Sequence, residues 1–237
     1  MLRIIADSTC DISKEDARKM GIQIVPISVR FRDEEFLDGV EITHEEFYTR
    51  LAECDELPKT SQPSPDTFMK VFNEAVADGD DVLGIFISSD LSGTYQSACL
   101  AASDVEDETG KKLYMVDSRS ASIGTALLIR EAVKLRDAGV NVSDIAAACT
   151  EMSKYIKLTA VVGSLKYLKM GGRLSGAAAF AGTMLHITPV VSIEDGKVVV
   201  IGKTRGKKAA EKLMHDKLTE DGLSLTRDFM FGHINCS

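Results

Sequence analysis

Along this chain the hydrophobic period keeps changing, and that constrains the fold more than any single motif. Short unbroken apolar runs, beginning with "LRIIAD" and continuing through "DDVLGIFIS", "KLYMVDS" and "LTAVVGS", alternate with capped segments of helical period. Runs of this length, rich in Ile and Val, are what strands buried on both faces of a parallel sheet require. The intervening segments carry helix punctuation. Ser13 is placed to cap "KEDARKM" and Gly21 to end it, while Thr43 and Glu46 have capping-box spacing at the head of "HEEFYTRLAEC". "IQIVPISVRF" reads as one further strand. "ASIGTALLIREAVKLRDAG" reads as a long helix ended by Gly139, followed by a helix opened by Ser143.

This alternation predicts a three-layer α/β/α domain with a mainly parallel sheet over residues 1–157. The texture changes after residue 157. "GGRLSGAAAFAG" is rich in small residues, and "TPVVSIEDGKVVVIGK" has the pattern of a hairpin turned at Asp195-Gly196. Residues 158–237 are therefore expected to form a second α/β domain with a mixed sheet. The strand-like "DFMFGHINCS" closes the sequence without a visible partner, so this domain is expected to be incomplete at its C-terminus. If the small residues Gly176 to Gly182 pack against Met184, Leu185 and Ile187, they can leave a long apolar slot; close helix packing is the other reading of the same stretch.

Composition narrows the chemistry. A net charge of -8 disfavours nucleic acid, since the densest basic run, "GKTRGKKAAEK", is short. Five scattered cysteines without C-x-x-C suggest neither disulfides nor zinc and fit a reducing cytoplasm. The most apolar segment is interrupted by His186 and Pro189 and falls short of a membrane span. The four histidines form no H-E-x-x-H, with His44 expected in solvent, and Ser92 lacks the G-x-S-x-G setting of a nucleophile elbow. Residues 202–204, "GKT", lack the glycine five positions earlier that a phosphate loop needs, because Lys197 stands there. No cofactor or metal is implied.

In a parallel sheet, ligands bind beyond the carboxyl ends of the strands. "ADST", "SSDLSGTYQSA" and "VDSRSA" all fall there. "KTSQPSPDTF" joins them, with Ser64 as N-cap, Pro65 at the first helical position, and Thr60 and Ser61 just outside the helix mouth. Ser92 and Thr94 flank Gly93 in a similar arrangement. Each mouth is read either as a plain N-cap or as one half of a cradle for a carboxylate or phosphate. Arg173 in "GGRLSG" is either an anion partner or a surface residue after a helix end.

Taken together, "ADSTCDI", "KTSQPSPDTF", "SSDLSGTYQSA", "VDSRSASIG" and "LKMGGRLSG", in this order, resemble the DegV family of bacterial fatty-acid-binding proteins, from residue 2 to about residue 235. The resemblance implies a two-domain protein that holds one long-chain fatty acid of the palmitate or oleate class in a tunnel between its domains. It implies a carboxylate on Thr60, Ser61 and Ser92, with Gly93 giving access to backbone and Arg173 near the carboxylate end or facing a partner. It further implies a non-enzymatic carrier that hands its ligand to a separate ATP-dependent fatty acid kinase. The family continues past Ser237 with further strand and helix and a late histidine followed by G-P-G, and His233 does not stand in for that residue. Two other readings remain at this level. One is a serine-dependent acyl hydrolase using Ser92, which needs a base beside that hydroxyl. The other is a substrate-binding subunit of the dihydroxyacetone kinase type, which needs a substrate-holding histidine.

Overall fold

A computed structural model describes residues 1–175, 187–222, 226 and 228–233, in two compact units, Met1–Lys154 and Tyr155–Ser237. The fold is mixed α/β, with one parallel and two antiparallel sheets. The first unit runs β1 (Leu2–Asp7), α1 (Lys14–Met20), β2 (Ile22–Val25), β3 (Ser28–Phe31), β4 (Glu34–Leu37), α2 (His44–Glu53), β5 (Lys59–Ser61), α3 (Pro65–Ala77) and β6 (Asp81–Phe86). It continues with α4 (Thr94–Thr109), β7 (Leu113–Asp117), α5 (Ile123–Asp137) and α6 (Val142–Ser153).

Four strands form a parallel sheet in the order β2-β1-β6-β7. Alternation along each strand divides the core between two helical layers. Ile5, Val82 and Phe86 pack with Phe68 and Phe72 of α3 and with Ala98, Ala101 and Val105 of α4. Ile4, Leu83 and Ile85, equally buried, have the opposite parity, and α5 and α6 also pack on this sheet. Close approach on the first face depends on Gly84, where a Cβ would come within 2.5 Å of the Phe86 ring and 2.7 Å of Met115 Sδ.

"IQIVPISVRF" is two strands rather than one. Proline offers no N–H to a ladder, so the pairing of β2 with β1 stops at Val25. The chain then passes into a second, antiparallel sheet of order β4-β3-β5, and Ile27 N–H is taken by Ser8 Oγ at 3.2 Å. The supposed loop around Thr60 contains β5, which pairs with β3 as Val29 with Thr60 and Ser28 with Ser61. Asn141, not Ser143, caps α6, its Oδ1 accepting from Asp144 N at 3.0 Å. The expected caps Ser13, Thr43 with Glu46, and Ser64 with Pro65 are all present.

The second unit contains β8 (Leu158–Val161), α7 (Lys166–Met170), β9 (Thr188–Glu194), β10 (Lys197–Thr204) and α8 (Lys207–Glu220). Its sheet, β10-β9-β8, is antiparallel, so "LTAVVGS" is not a strand of the parallel sheet. The hairpin turns at Asp195 and Gly196, whose φ values of 48° and 81° suit a two-residue primed turn. A Cβ at Gly202 would overlap Leu213, which sets how closely α8 packs on β10. Gly202-Lys203-Thr204 lies within that strand, and α8 begins only at Lys207, so these residues do not open a helix as those of a phosphate loop do. Asp228 to His233 form no strand. The slot expected from Gly176 to Leu185 lies outside the described residues, as do His186 and Cys236. No helix among the described residues is long and apolar enough to cross a membrane.

Candidate functional site

Strands β1, β6 and β7 deliver polar loops to one edge of the parallel sheet, and two carboxylates fix the middle loop. Asp7, fully buried at the end of β1, accepts from Ile87 N at 3.0 Å through one oxygen, and from Thr9 N at 3.0 Å and the Thr9 hydroxyl through the other. Burial pushes its pKa up, and these three donors oppose the shift. Asp117, ending β7, accepts from Ser89 Oγ at 2.5 Å and Ser89 N at 3.3 Å. The loop after β6 is thus held from both neighbouring strands. Ser88 C=O then accepts from Leu91 N at 3.0 Å and Ser92 N at 3.1 Å, a tight turn that presents Ser92 at the mouth of α4.

At that mouth Ser92 Oγ lies 2.9 Å from Thr94 Oγ1 and accepts from Thr94 N at 3.3 Å. Thr94 is buried, whereas Ser92 is half-buried. The N-cap position is Gly93, which offers no side-chain acceptor, and the first turn of α4 carries no acidic residue. The positive end of this 16-residue helix is left without a charged counterpart in its own sequence.

The Thr60 segment meets this mouth directly. Ser97 Oγ on α4 donates a buried 2.7 Å hydrogen bond to Pro63 C=O, and the Gln62 carboxamide lies against Gly93 so closely that a Cβ there would overlap its Oε1. Gln62 and Pro63, which directly follow Thr60 and Ser61, therefore lie at the mouth formed by Ser92-Gly93-Thr94. Ser64 is accounted for structurally: its hydroxyl accepts from Thr67 N at 3.2 Å and lies 2.9 Å from Thr67 Oγ1. Thr60 and Ser61 are exposed, and neither hydroxyl has a protein hydrogen bond among the described residues. Ser97→Ala is expected to lower stability by about 1–2 kcal/mol, because Pro63 C=O would be buried without a donor. Chemical denaturation with unchanged m-value checks this.

Arg173 belongs to the second unit. It follows Gly171, the C-cap of α7, and its exposed guanidinium donates to Gly171 C=O at 2.6 Å. The hydrolase reading needs a base on Ser92, yet the side-chain partner of that hydroxyl is another hydroxyl, Thr94. Among the described residues no histidine or carboxylate hydrogen-bonds Ser92. His44 is exposed at the start of α2. The buried thiols of Cys10 and Cys149 offer no better nucleophile, since burial pushes both up to about 12. Sequence reasoning missed Gln62, Ser97, Asp7 and Asp117. The available signal was position: Gln62 separates the two free hydroxyls from Pro63, and each aspartate is the last residue of an apolar run.

The chain is similar to known proteins along nearly its whole length. The family model described as "Uncharacterised protein, DegV family" matches residues 1–236. A DegV domain-containing protein of Clostridium perfringens is 38% identical over 213 residues, 90% of this chain and 75% of that protein. One from Clostridium acetobutylicum is 36% identical over 241 residues, 99% and 82%. Among solved structures, a stearic acid-binding protein from Eubacterium ventriosum is 33% identical with TM-score 0.86, covering 94% of this chain and 78% of that one. A fatty-acid-binding DegV family protein from Thermus thermophilus is 33% identical with TM-score 0.83, covering 93% and 77%. Five ordered motifs, a parallel sheet with polar loops at one edge, and a match along nearly the whole sequence lead to one conclusion: the chain belongs to the DegV family.

Proposed function

We propose that this chain is a carrier for one long-chain fatty acid, whose carboxylate rests on the hydroxyls of Thr60 and Ser92, with Ser61 beside them and Gly93 opening the backbone. The observation that carries the reading is the joining of the two hydroxyl-bearing segments, by Gln62 on Gly93 and by Ser97 on Pro63. Binding of fatty acids by related structures of similar fold supports the ligand class.

Magnitudes divide the work. Burying methylenes contributes about 0.8 kcal/mol each, so roughly 14 of them give on the order of 11 kcal/mol before ordering is subtracted. Hydrogen bonds to a charged group add about 1.5–3 kcal/mol each. The acyl chain supplies affinity and the hydroxyls supply orientation. A carrier of this kind presents its cargo to an enzyme that activates carboxylates, a separate fatty acid kinase in this reading, and exposed Arg173 is assigned to contact with that partner.

The test is mass spectrometry of an organic extract, followed by titration of the stripped protein with palmitate. One fatty acid per chain is expected. Thr60→Ala and Ser92→Ala should each weaken binding about tenfold. Thr60→Ala should leave thermal unfolding unshifted, whereas Ser92→Ala also removes the partner of the buried Thr94 hydroxyl and should lower stability by about 1–2 kcal/mol. Full affinity in both variants would reject the head-group assignment, and no uptake by the wild-type chain would reject the carrier reading.

A further inference from the structure

Gln62 is the polar residue of the site that the two hydroxyls do not explain. Its backbone is fixed on both sides, by Thr60 pairing with Val29 and by Pro63 C=O accepting from Ser97. Its side chain is laid over Gly93, where a Cβ would overlap Oε1 and come within 2.8 Å of both Cδ and Nε2. Although polar and exposed, the carboxamide has no protein hydrogen bond among the described residues. An amide that lies against Gly93, follows Thr60 and Ser61 in the chain and has no protein partner among the described residues is set up to meet a ligand.

We infer that Gln62 is the residue that makes this site selective for an ionised carboxylate. The inference rests on the fatty-acid reading given above. Hydroxyls both donate and accept, so Thr60 and Ser92 alone can hydrogen-bond a fatty alcohol as well as a fatty acid and give only partial discrimination between them. The Gln62 Nε2 group only donates. A carboxylate is acceptor-only, with two oxygens and about four lone-pair sites, so it can take Nε2–H together with both hydroxyls. An alcohol has one oxygen and must leave a donor unmet or return its own proton to a hydroxyl. The contact with Gly93 serves the same end, since a side chain at position 93 would push the carboxamide aside.

The experiment compares palmitate with hexadecanol on the stripped, full chain, by competition against a fluorescent fatty acid at neutral pH. Gln62→Glu keeps the shape but replaces the donor with a second negative charge. It should weaken palmitate by about tenfold or more while changing hexadecanol less than about threefold. Gln62→Leu, which removes the donor without adding charge, should move the palmitate-to-hexadecanol ratio in the same direction by a smaller factor. Both substitutions are at an exposed side chain, and thermal unfolding should match wild type. A ratio unchanged from wild type in both variants would overturn the inference and leave the carrier reading intact. Failure of wild-type protein to bind palmitate would instead remove the reading on which it rests.

Discussion

Phe68→Ala is expected to lower the stability of the N-terminal unit by about 3–5 kcal/mol, a large share of the roughly 5–15 kcal/mol that ordinarily holds a domain together. Phe68 is fully buried on α3, stacked on Phe72 with ring centroids 5.7 Å apart and edge-on to Phe86 at 5.1 Å. Removing the ring opens a void where α3, α4 and β6 converge, and the close-packed neighbours fill it only partly. The same helix begins at Ser64, directly after the segment that carries Thr60 and Gln62, so ligand affinity should fall with stability. Denaturant unfolding of the intact chain checks the first effect; a loss below about 1 kcal/mol would mean that the aromatic cluster does not hold these layers together.

Asp7→Asn tests the carboxylate that anchors the site loop. Thr9 donates to one oxygen and Ile87 N to the other. An asparagine can accept on one side only, so its NH₂ must face a backbone N–H. A loss of about 1–3 kcal/mol is expected. The pH dependence has a definite sign. Burial raises the folded-state pKa of Asp7 above its ordinary 3.8, so the folded chain holds this proton more tightly than the unfolded one. Its contribution is therefore fully present below 3.8 and declines as pH rises through the raised folded value. The substituted carboxamide does not titrate, and the difference in stability between the two proteins should narrow with rising pH. A gap that widens instead would show that the carboxylate is charged in the fold at no net electrostatic penalty.

Much of this architecture could be read from the residues because local signals and tertiary demands agree. Continuous apolar runs gave strands of the parallel sheet where both faces are covered by helices, as at Leu83 and Ile85. Cap residues with a side-chain acceptor, Ser13, Thr43 and Ser64, marked helix starts correctly. The errors share a different origin. "LTAVVGS" has the same apolar density as a parallel strand, and only its partner, β9, makes it antiparallel. β5 is three exposed residues and has no periodic signal at all; pairing with β3 creates it. The candidate site shows the same limit. Ordered motifs pointed to Thr60, Ser61, Ser92 and Gly93, but the meeting of Gln62 with Gly93 depends on packing between α3 and α4, which no spacing along the chain encodes.

The small sheet carrying Thr60 has an energetic consequence of its own. Beneath β4-β3-β5 the buried cluster is Val29, Phe31 and Ile42, bordered by Phe36, Phe47, Leu51 and Cys54, and α2 buries no residue completely. So little apolar area cannot lock this region as firmly as the layers around Phe68 lock the parallel sheet. Backbone amides of β3 and β5 should therefore exchange with deuterium through openings confined to this sheet, while those of β1 and β6 exchange only on global unfolding. A head group bound on Thr60 would slow the first set and leave the second nearly unchanged. On the proposed reading, β5 would then be the part of the domain able to let go without the rest.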